Sequence, residues 1–106
     1  MEGVPQRFSS KFDEITERFG AVRYMTEQKA CVIRDIITQN NAHDILEIGF
    51  YHGKSSIFIA AILEDIGRGS LVTIDKRLAD QCKPNIHDLL DATGLADRVE
   101  AIFASR

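Results

Sequence analysis

The sequence predicts an α/β fold: a doubly wound parallel sheet with strand order 3-2-1, preceded by two helices. From residue 43 onwards, short apolar runs alternate with segments of helical periodicity, and glycines separate the two kinds of segment. Strand-helix-strand units of this kind form parallel sheets, and their right-handed crossovers give the order 3-2-1. We therefore divide the chain into an N-terminal helical segment, 1–42, and the first half of an α/β domain, 43–106.

Two amphipathic helices are predicted in the first segment. Residues 11–19 begin after Ser10, which with Asp13 resembles a capping box, and end at Gly20. The apolar positions of this helix are Phe12, Ile15 and Phe19. A second helix is expected to begin at Thr26 and to give way to the polar run 39–41 (QNN). Its predicted apolar face comprises Ala30, Ile33, Ile36 and Ile37.

Three strands and two helices are predicted in the second segment. Residues 45–48 form a short apolar run typical of a strand that is buried on both faces, and residues 70–74 and 99–103 form the second and third strands. A helix over 55–65, with Ile57, Phe58, Ala61 and Ile62 inward, connects the first two strands. Because proline is tolerated only in the first turn of a helix, Pro84 places the start of the next helix near Cys82 or Lys83. Gly94 ends that helix, and Leu95 is placed to fold back on it.

Composition excludes several classes of function. The chain has 106 residues, of which 44% are hydrophobic and 27% charged, and a formal net charge of -3 with no basic cluster. An ordinary globular domain that does not bind nucleic acid is therefore expected. The longest strongly apolar stretch, 57–63, is too short to cross a membrane, and a cytosolic location is the default expectation. Cys31 and Cys82 are far apart and have no metal-ligand spacing, so we expect reduced thiols and no metal site.

Polar residues and glycines cluster where the first two strands end. Glu47 lies at the end of strand 1, Gly49 and Gly53 lie in the following turn, Ser55 and Ser56 begin the helix, and Asp75 ends strand 2. Glycines let the backbone approach a ligand closely, and the start of a helix offers free N–H groups to a carboxylate or phosphate. An acidic side chain at the neighbouring strand end is suited to ribose hydroxyls. The pattern lacks the third glycine of a dinucleotide-binding loop, which weakens the interpretation that the loop binds a pyrophosphate.

The stretch 44–56 (DILEIGFYHGKSS) resembles motif I of class I S-adenosylmethionine-dependent methyltransferases, in the variant found in small-molecule O-methyltransferases. Tyr51 replaces the usual middle glycine in this variant. The strand end at 73–76 and the segment 92–99 (ATGLADRV) are similar to later parts of the same family, and the resemblance covers roughly residues 43–103. It implies a Rossmann-like domain that binds S-adenosyl-L-methionine and transfers a methyl group to a small-molecule acceptor.

The resemblance also implies roles for individual residues. Gly49, Tyr51 and Gly53 form the loop under the methionine part of the cofactor, and Glu47 supports that loop or the cofactor's amino group. Ser55 and Ser56 offer hydroxyls and amides near the carboxylate, and Asp75 holds the ribose. Ser105 lies near the expected position of the adenine.

Plainer interpretations stay open beside these roles. The glycine pair can be an ordinary turn, Glu47 a surface or helix-dipole partner, and Asp75 a strand-end cap. His52 can line the loop, whereas 76–77 are expected to form a solvated turn. The family's acceptor pocket and catalytic residues lie at or after a fourth strand, so the chain is expected to be the cofactor-binding half alone. A noncatalytic, self-associating fragment is the alternative, because an unpaired first strand favours a homo-oligomer.

Overall fold

A computed structural model describes residues 10–19, 27–49, 53–76, 81 and 85–104 of the chain. Within these residues, two α-helices precede the first strand, and strands and α-helices then alternate as the sequence predicts. The helices are α1 (Lys11–Phe19), α2 (Glu27–Gln39), α3 (Lys54–Ile66) and α4 (Ile86–Thr93), and the strands are β1 (Asp44–Ile48), β2 (Ser70–Lys76) and β3 (Val99–Ala104). A short 3₁₀ helix, Ala96–Arg98, leads into β3.

The three strands form one parallel sheet with β2 in the centre, which confirms the predicted strand order. Ile45 lies opposite Leu71, and Leu71 lies opposite Val99. With this register, the carboxyl ends of β1 and β2 lie side by side, so Gly49 and Asp75 reach the same edge of the sheet.

Helices cover only one face of the described sheet. Ile45, Val99, Ala101 and Phe103 pack against the buried cluster that α3 and α4 supply, whereas Leu46 and Ile48 are 63% and 73% exposed. The prediction that the first strand is buried on both faces is therefore wrong. Two successive right-handed crossovers that advance in the same direction place both helices on the same side, and this accounts for the difference. We call the other side the open face; its apolar side chains are Leu46, Ile48, Val72, Ile74 and Ile102.

The centre of the packed layer is α3. Its side chains from Ser56 to Leu63 are all buried, because α1, α2, α4 and the sheet surround it. The aromatic ring of Phe12 on α1 meets that of Phe58 edge-on, with 6.1 Å between the centroids. Asp65 of α3 also caps α1, since its carboxylate accepts hydrogen bonds from the backbone N–H groups of Lys11 and Phe12 at 2.7 and 2.9 Å. The N-terminal helices thus belong to the same core as the sheet.

Helix boundaries follow local capping chemistry. Ser10 accepts a hydrogen bond from the N–H of Asp13 at 3.0 Å, as the predicted cap requires, and α3 ends with Gly67 in a left-handed conformation. The described part of α4 begins later than predicted, at Ile86, because Asn85 and Asp88 form a reciprocal capping box. Its predicted stop is confirmed: Gly94 has a φ of 72°, and Leu95 is fully buried. Gly20, Thr26 and 82–84, which the predicted boundaries also used, lie outside the described residues.

The predicted apolar face of α2 is only partly correct. Ala30 and Ile37 are buried and Ile33 is partly buried, but Ile36 is 56% exposed and Val32 is 58% exposed. The face of α2 that is buried in the core is therefore narrower than the apolar face predicted from the sequence.

Candidate functional site

The candidate site lies where β1 and β2 end and α3 begins. The backbone N–H of Gly49 donates to the carbonyl of Ile74 at 2.7 Å, which continues the pairing of the two strands to the first residue of the loop. Asp75 is the penultimate residue of β2. The predicted loop is thus fixed at one end by sheet hydrogen bonds and at the other by the first turn of α3.

Glu47 is the centre of a polar cluster that joins three elements. Its Oε2 accepts a hydrogen bond from the Ser55 hydroxyl at 2.6 Å, and its Oε1 accepts one from the Ser56 hydroxyl at 2.5 Å. The hydroxyl of Thr73, directly opposite on β2, donates to the same Oε1 at 2.8 Å. The cluster connects β1, β2 and the start of α3. Its negative charge also lies at the favourable, positive end of the α3 dipole.

The first turn of α3 keeps backbone donors without intrahelical partners. Gly53 is the N-cap residue and provides no side-chain cap, and the N–H of Ile57 bonds to the carbonyl of Gly53 at 3.1 Å. The preceding N–H groups, those of residues 54–56, are the donors that a helix start leaves for other acceptors. Such a helix start favours a carboxylate or a phosphate.

Both predicted loop glycines have left-handed backbone conformations. Gly49 has a φ of 87° and Gly53 a φ of 91°, values that other residues rarely adopt. A Cβ atom on Gly53 would lie 2.7–2.9 Å from side-chain and backbone atoms of Ile86, whereas a Cβ on Gly49 would meet no atom of the described residues within 4 Å. Gly53 therefore allows close packing against α4, and no such contact is found for Gly49 in the part of the chain that the structure describes.

Asp75 lies at the end of β2, on the same side of the sheet as Glu47 and Thr73. It is partly buried, and its Oδ1 accepts a hydrogen bond from the N–H of Lys76 at 2.6 Å. Phe103 is its register partner on β3, and the Phe103 ring contacts the ring of His87, with 5.6 Å between the centroids. Asp75 thus lies beside Phe103 in the sheet, and the Phe103 ring in turn contacts His87.

Six of the seven predicted site residues fall within one region of the fold. Glu47, Ser55 and Ser56 are in direct contact, and Gly49, Gly53 and Asp75 bound the same edge of the sheet; Tyr51, together with His52 and Ser105, lies outside the described residues.

Sequence reasoning missed two residues of this region. Thr73 was visible only as a polar residue inside an apolar strand run, two positions before Asp75. Nothing in the sequence indicated that Ile86 packs on Gly53, because that contact depends on the path of the chain between β2 and α4.

Two further observations concern metals and membranes. Across residues 10–19, 27–49, 53–76, 81 and 85–104, no three His, Cys, Asp or Glu side chains come together as a metal ion would require. In the same ranges, no helix is long and apolar enough to cross a membrane.

Comparison with protein families gives one match, to a methyltransferase domain, over residues 46–105. This match spans more than half of the chain and includes the whole candidate site. No curated protein matches the chain at a significant level.

Solved structures of O-methyltransferases share the fold. A protein from Staphylococcus aureus, assigned as a caffeoyl-CoA O-methyltransferase, superposes with a TM-score of 0.67 at 25% identity, over 87% of this chain and 43% of that one. TomG from Streptomyces achromogenes, an O-methyltransferase of tomaymycin synthesis in complex with S-adenosylmethionine, gives 0.61 at 28% identity, over 88% and 40%. An O-methyltransferase from Bacillus cereus in complex with S-adenosylhomocysteine gives 0.64 at 21% identity, over 96% and 47%. The chain thus spans less than half the length of each of these structures.

Proposed function

Because the chain belongs to the class I S-adenosylmethionine-dependent methyltransferase family, we propose that it forms the cofactor-binding part of an enzyme that methylates a small-molecule acceptor. The observation that carries the proposal is the joint placement of two left-handed glycines, a helix start whose first N–H groups have no intrahelical partner, and a carboxylate on the adjoining strand. The cofactor-binding unit is proposed to comprise 43–106, and 1–42 to be a helical segment whose described helices pack on α3.

Each part of the site suits one part of S-adenosyl-L-methionine. The N–H groups of residues 54–56 are suited to the methionine carboxylate, since the α3 dipole favours a negative charge there. The carboxylate of Asp75 is suited to accept hydrogen bonds from the ribose hydroxyls. Gly49 lets the backbone approach the ligand, because a Cβ there would meet no described atom within 4 Å, and Tyr51 is proposed to line the same loop.

Glu47 is proposed to support the loop rather than to bind the cofactor's amino group. Both of its oxygens already accept hydroxyl hydrogen bonds from Ser55, Ser56 and Thr73. The serine hydroxyls are used in the same contacts, so α3 would contact the cofactor chiefly through backbone amides. The bound cofactor would supply an electrophilic methyl group on its sulfonium, and the protein would hold that group in line with the acceptor.

Calorimetric titration with S-adenosylhomocysteine tests this proposal. Asp75→Ala should weaken binding by more than about tenfold, because hydrogen bonds to a charged group contribute about 1.5–3 kcal/mol. Asp91→Ala is the matched control, since Asp91 is an exposed aspartate on α4, and its affinity should stay within about twofold of the unaltered chain. A chain that does not bind S-adenosylhomocysteine, or equal affinities for the two variants, would overturn the proposal.

A self-associating, noncatalytic role is the second candidate, and the open face favours it. Leu46 and Ile48 project from an edge strand and are mostly exposed, and water-exposed apolar surface next to an unpaired strand promotes association. We propose that the chain forms homo-oligomers through this surface. A cytosolic location and the absence of nucleic-acid binding stay predictions.

Sedimentation equilibrium at low micromolar concentration tests the oligomer. The unaltered chain should sediment as more than a monomer, and Ile48→Asp should shift it towards the monomer. Val32→Asp is the control, because Val32 is similarly exposed but lies on α2, away from the sheet. A monodisperse monomer of the unaltered chain would contradict this proposal and leave cofactor binding unaffected.

A further inference from the structure

Two fully buried hydroxyls converge on a single carboxylate oxygen beside the candidate site. Ser56 and Thr73 have no exposed surface, and both donate to Oε1 of Glu47, at 2.5 and 2.8 Å. The nearest buried residues on the same elements are apolar. Ile57 follows Ser56 directly, and Leu71 precedes Thr73 by two positions on the covered face of the sheet. Small apolar side chains would therefore suit the burial of both positions, and the hydroxyl groups need a further explanation.

The geometry of the cluster provides one. Ser56 belongs to the first turn of α3 and Thr73 to β2, while Glu47 belongs to β1. A carboxylate held by charge-assisted hydrogen bonds from two directions has little freedom to rotate. The carboxylate thereby fixes the position of the first turn of α3 relative to β1 and β2. The backbone donors of that turn lie directly beside Ser56, and Asp75 lies two residues after Thr73 on the same side of β2.

We infer that Ser56 and Thr73 are positioning residues for the cofactor, which act through Glu47 and do not touch the ligand. The inference rests on the proposed function, since it concerns the binding of S-adenosylmethionine or its demethylated product. Thr73 holds the strand of the ribose-binding carboxylate in register with the loop strand, and Ser56 fixes the direction of the helix donors. Ser55 completes the cluster at a partly exposed position, on the other oxygen of Glu47.

Substitutions at Thr73 separate positioning from general stability. Thr73→Val keeps the shape of the side chain and removes the hydroxyl, and Thr73→Ser keeps the hydroxyl. Thr93→Val is the matched control: Thr93 is also buried, but its hydroxyl donates to the Leu89 carbonyl of its own helix at 2.7 Å, within α4. Thermal unfolding of each variant measures the stability loss, and calorimetric titration with S-adenosylhomocysteine measures the affinity.

The expected result is a loss of affinity that does not follow the loss of stability. Thr73→Val should weaken binding by about tenfold, the effect of one hydrogen bond to a charged group, whereas Thr73→Ser should restore affinity to within about threefold. Thr93→Val should bind within about twofold of the unaltered chain, even if its unfolding temperature falls as far as that of Thr73→Val. Ser56→Ala should repeat the Thr73→Val loss, and it carries the test alone if Thr73→Val does not fold.

The possible outcomes distinguish a failure of the proposed function from a failure of the positioning role alone. An unaltered chain that does not bind S-adenosylhomocysteine refutes the proposed function, and the positioning role with it. An unaltered chain that binds, with Thr73→Val or Ser56→Ala no weaker than Thr93→Val, refutes the positioning role alone. Loss of affinity in Thr73→Ser equal to that in Thr73→Val would also overturn it, because the hydroxyl would then not be the group that matters.

Discussion

Replacing Gly53 by alanine should destabilise the fold through two separable effects. The first is backbone strain: at a φ of 91°, an L-residue costs about 1–2 kcal/mol more than glycine. The second is overpacking, because the new Cβ would lie 2.7–2.9 Å from three atoms of Ile86, including its Cα, and crowding of this kind costs about 1–3 kcal/mol. Alanine also restricts the unfolded chain, which offsets about 0.4–1 kcal/mol of these losses.

Gly49→Ala isolates the overpacking effect. Its φ of 87° imposes a similar strain, and among the described residues its Cβ would meet no atom within 4 Å. The free energy of unfolding of Gly53→Ala should therefore lie below that of Gly49→Ala by about 1–3 kcal/mol, the crowding cost alone. Urea denaturation followed by circular dichroism measures both values, and the two midpoints should differ by roughly 1 M.

Equal stabilities for the two alanine variants would refute this reasoning. They would show that Ile86 moves away at little cost, and hence that α4 does not press on the start of α3. A greater loss in Gly49→Ala would show that the space beside Gly49 is filled in the folded protein.

Two further predictions concern α1. Burial alone would raise the pKa of Glu14, but Lys11 and Arg18, each 3.1 Å from a carboxylate oxygen, hold the pKa below its ordinary value of 4.5. A lowered pKa in the folded state stabilises the protein above the ordinary value, and this contribution is lost as the pH falls through the lowered pKa. Glu14→Gln should therefore reduce the free energy of unfolding at pH 7 by up to about 1 kcal/mol, and urea titrations at pH 7 and pH 3 should show the difference disappear on acidification; a difference that grows in acid would contradict the assignment. Asp65→Ala removes the cap that α3 provides for α1 and should cost about 0.5–2 kcal/mol by the same assay, while Asp97→Ala, an exposed control, should change stability by less than about 0.5 kcal/mol.

The elements of the fold could be predicted from sequence because local chemistry specifies them. Gly67 and Gly94 end helices by adopting left-handed conformations, and the apolar runs of the three strands are short and bounded. The start of α4 was misplaced because Pro84 marks where a helix can begin, whereas Asn85 and Asp88 form the actual cap. Pro84 is compatible with a helix start nearby but does not specify the residue at which the helix begins.

Burial was harder to predict than secondary structure. The apolar run of β1 is typical of a strand covered on both sides, yet its alternate residues Leu46 and Ile48 face outwards, because crossover direction and not strand composition decides where helices lie. The same limit applies to the site. Glu47, Ser55 and Ser56 could be grouped by their positions in one motif, but their partner Thr73 comes from another strand, and only the register of β1 with β2 brings it near.

The arrangement of helices on a single side of the sheet has a consequence for the kinetics of folding. Along the chain, α3 lies between β1 and β2 and α4 lies between β2 and β3, and each strand pairs with the next strand in sequence. The covered layer can therefore grow by successive, nearly local loop closures around α3, which are less costly in entropy than pairings between distant segments. During synthesis, this layer would condense in the order in which its segments leave the ribosome.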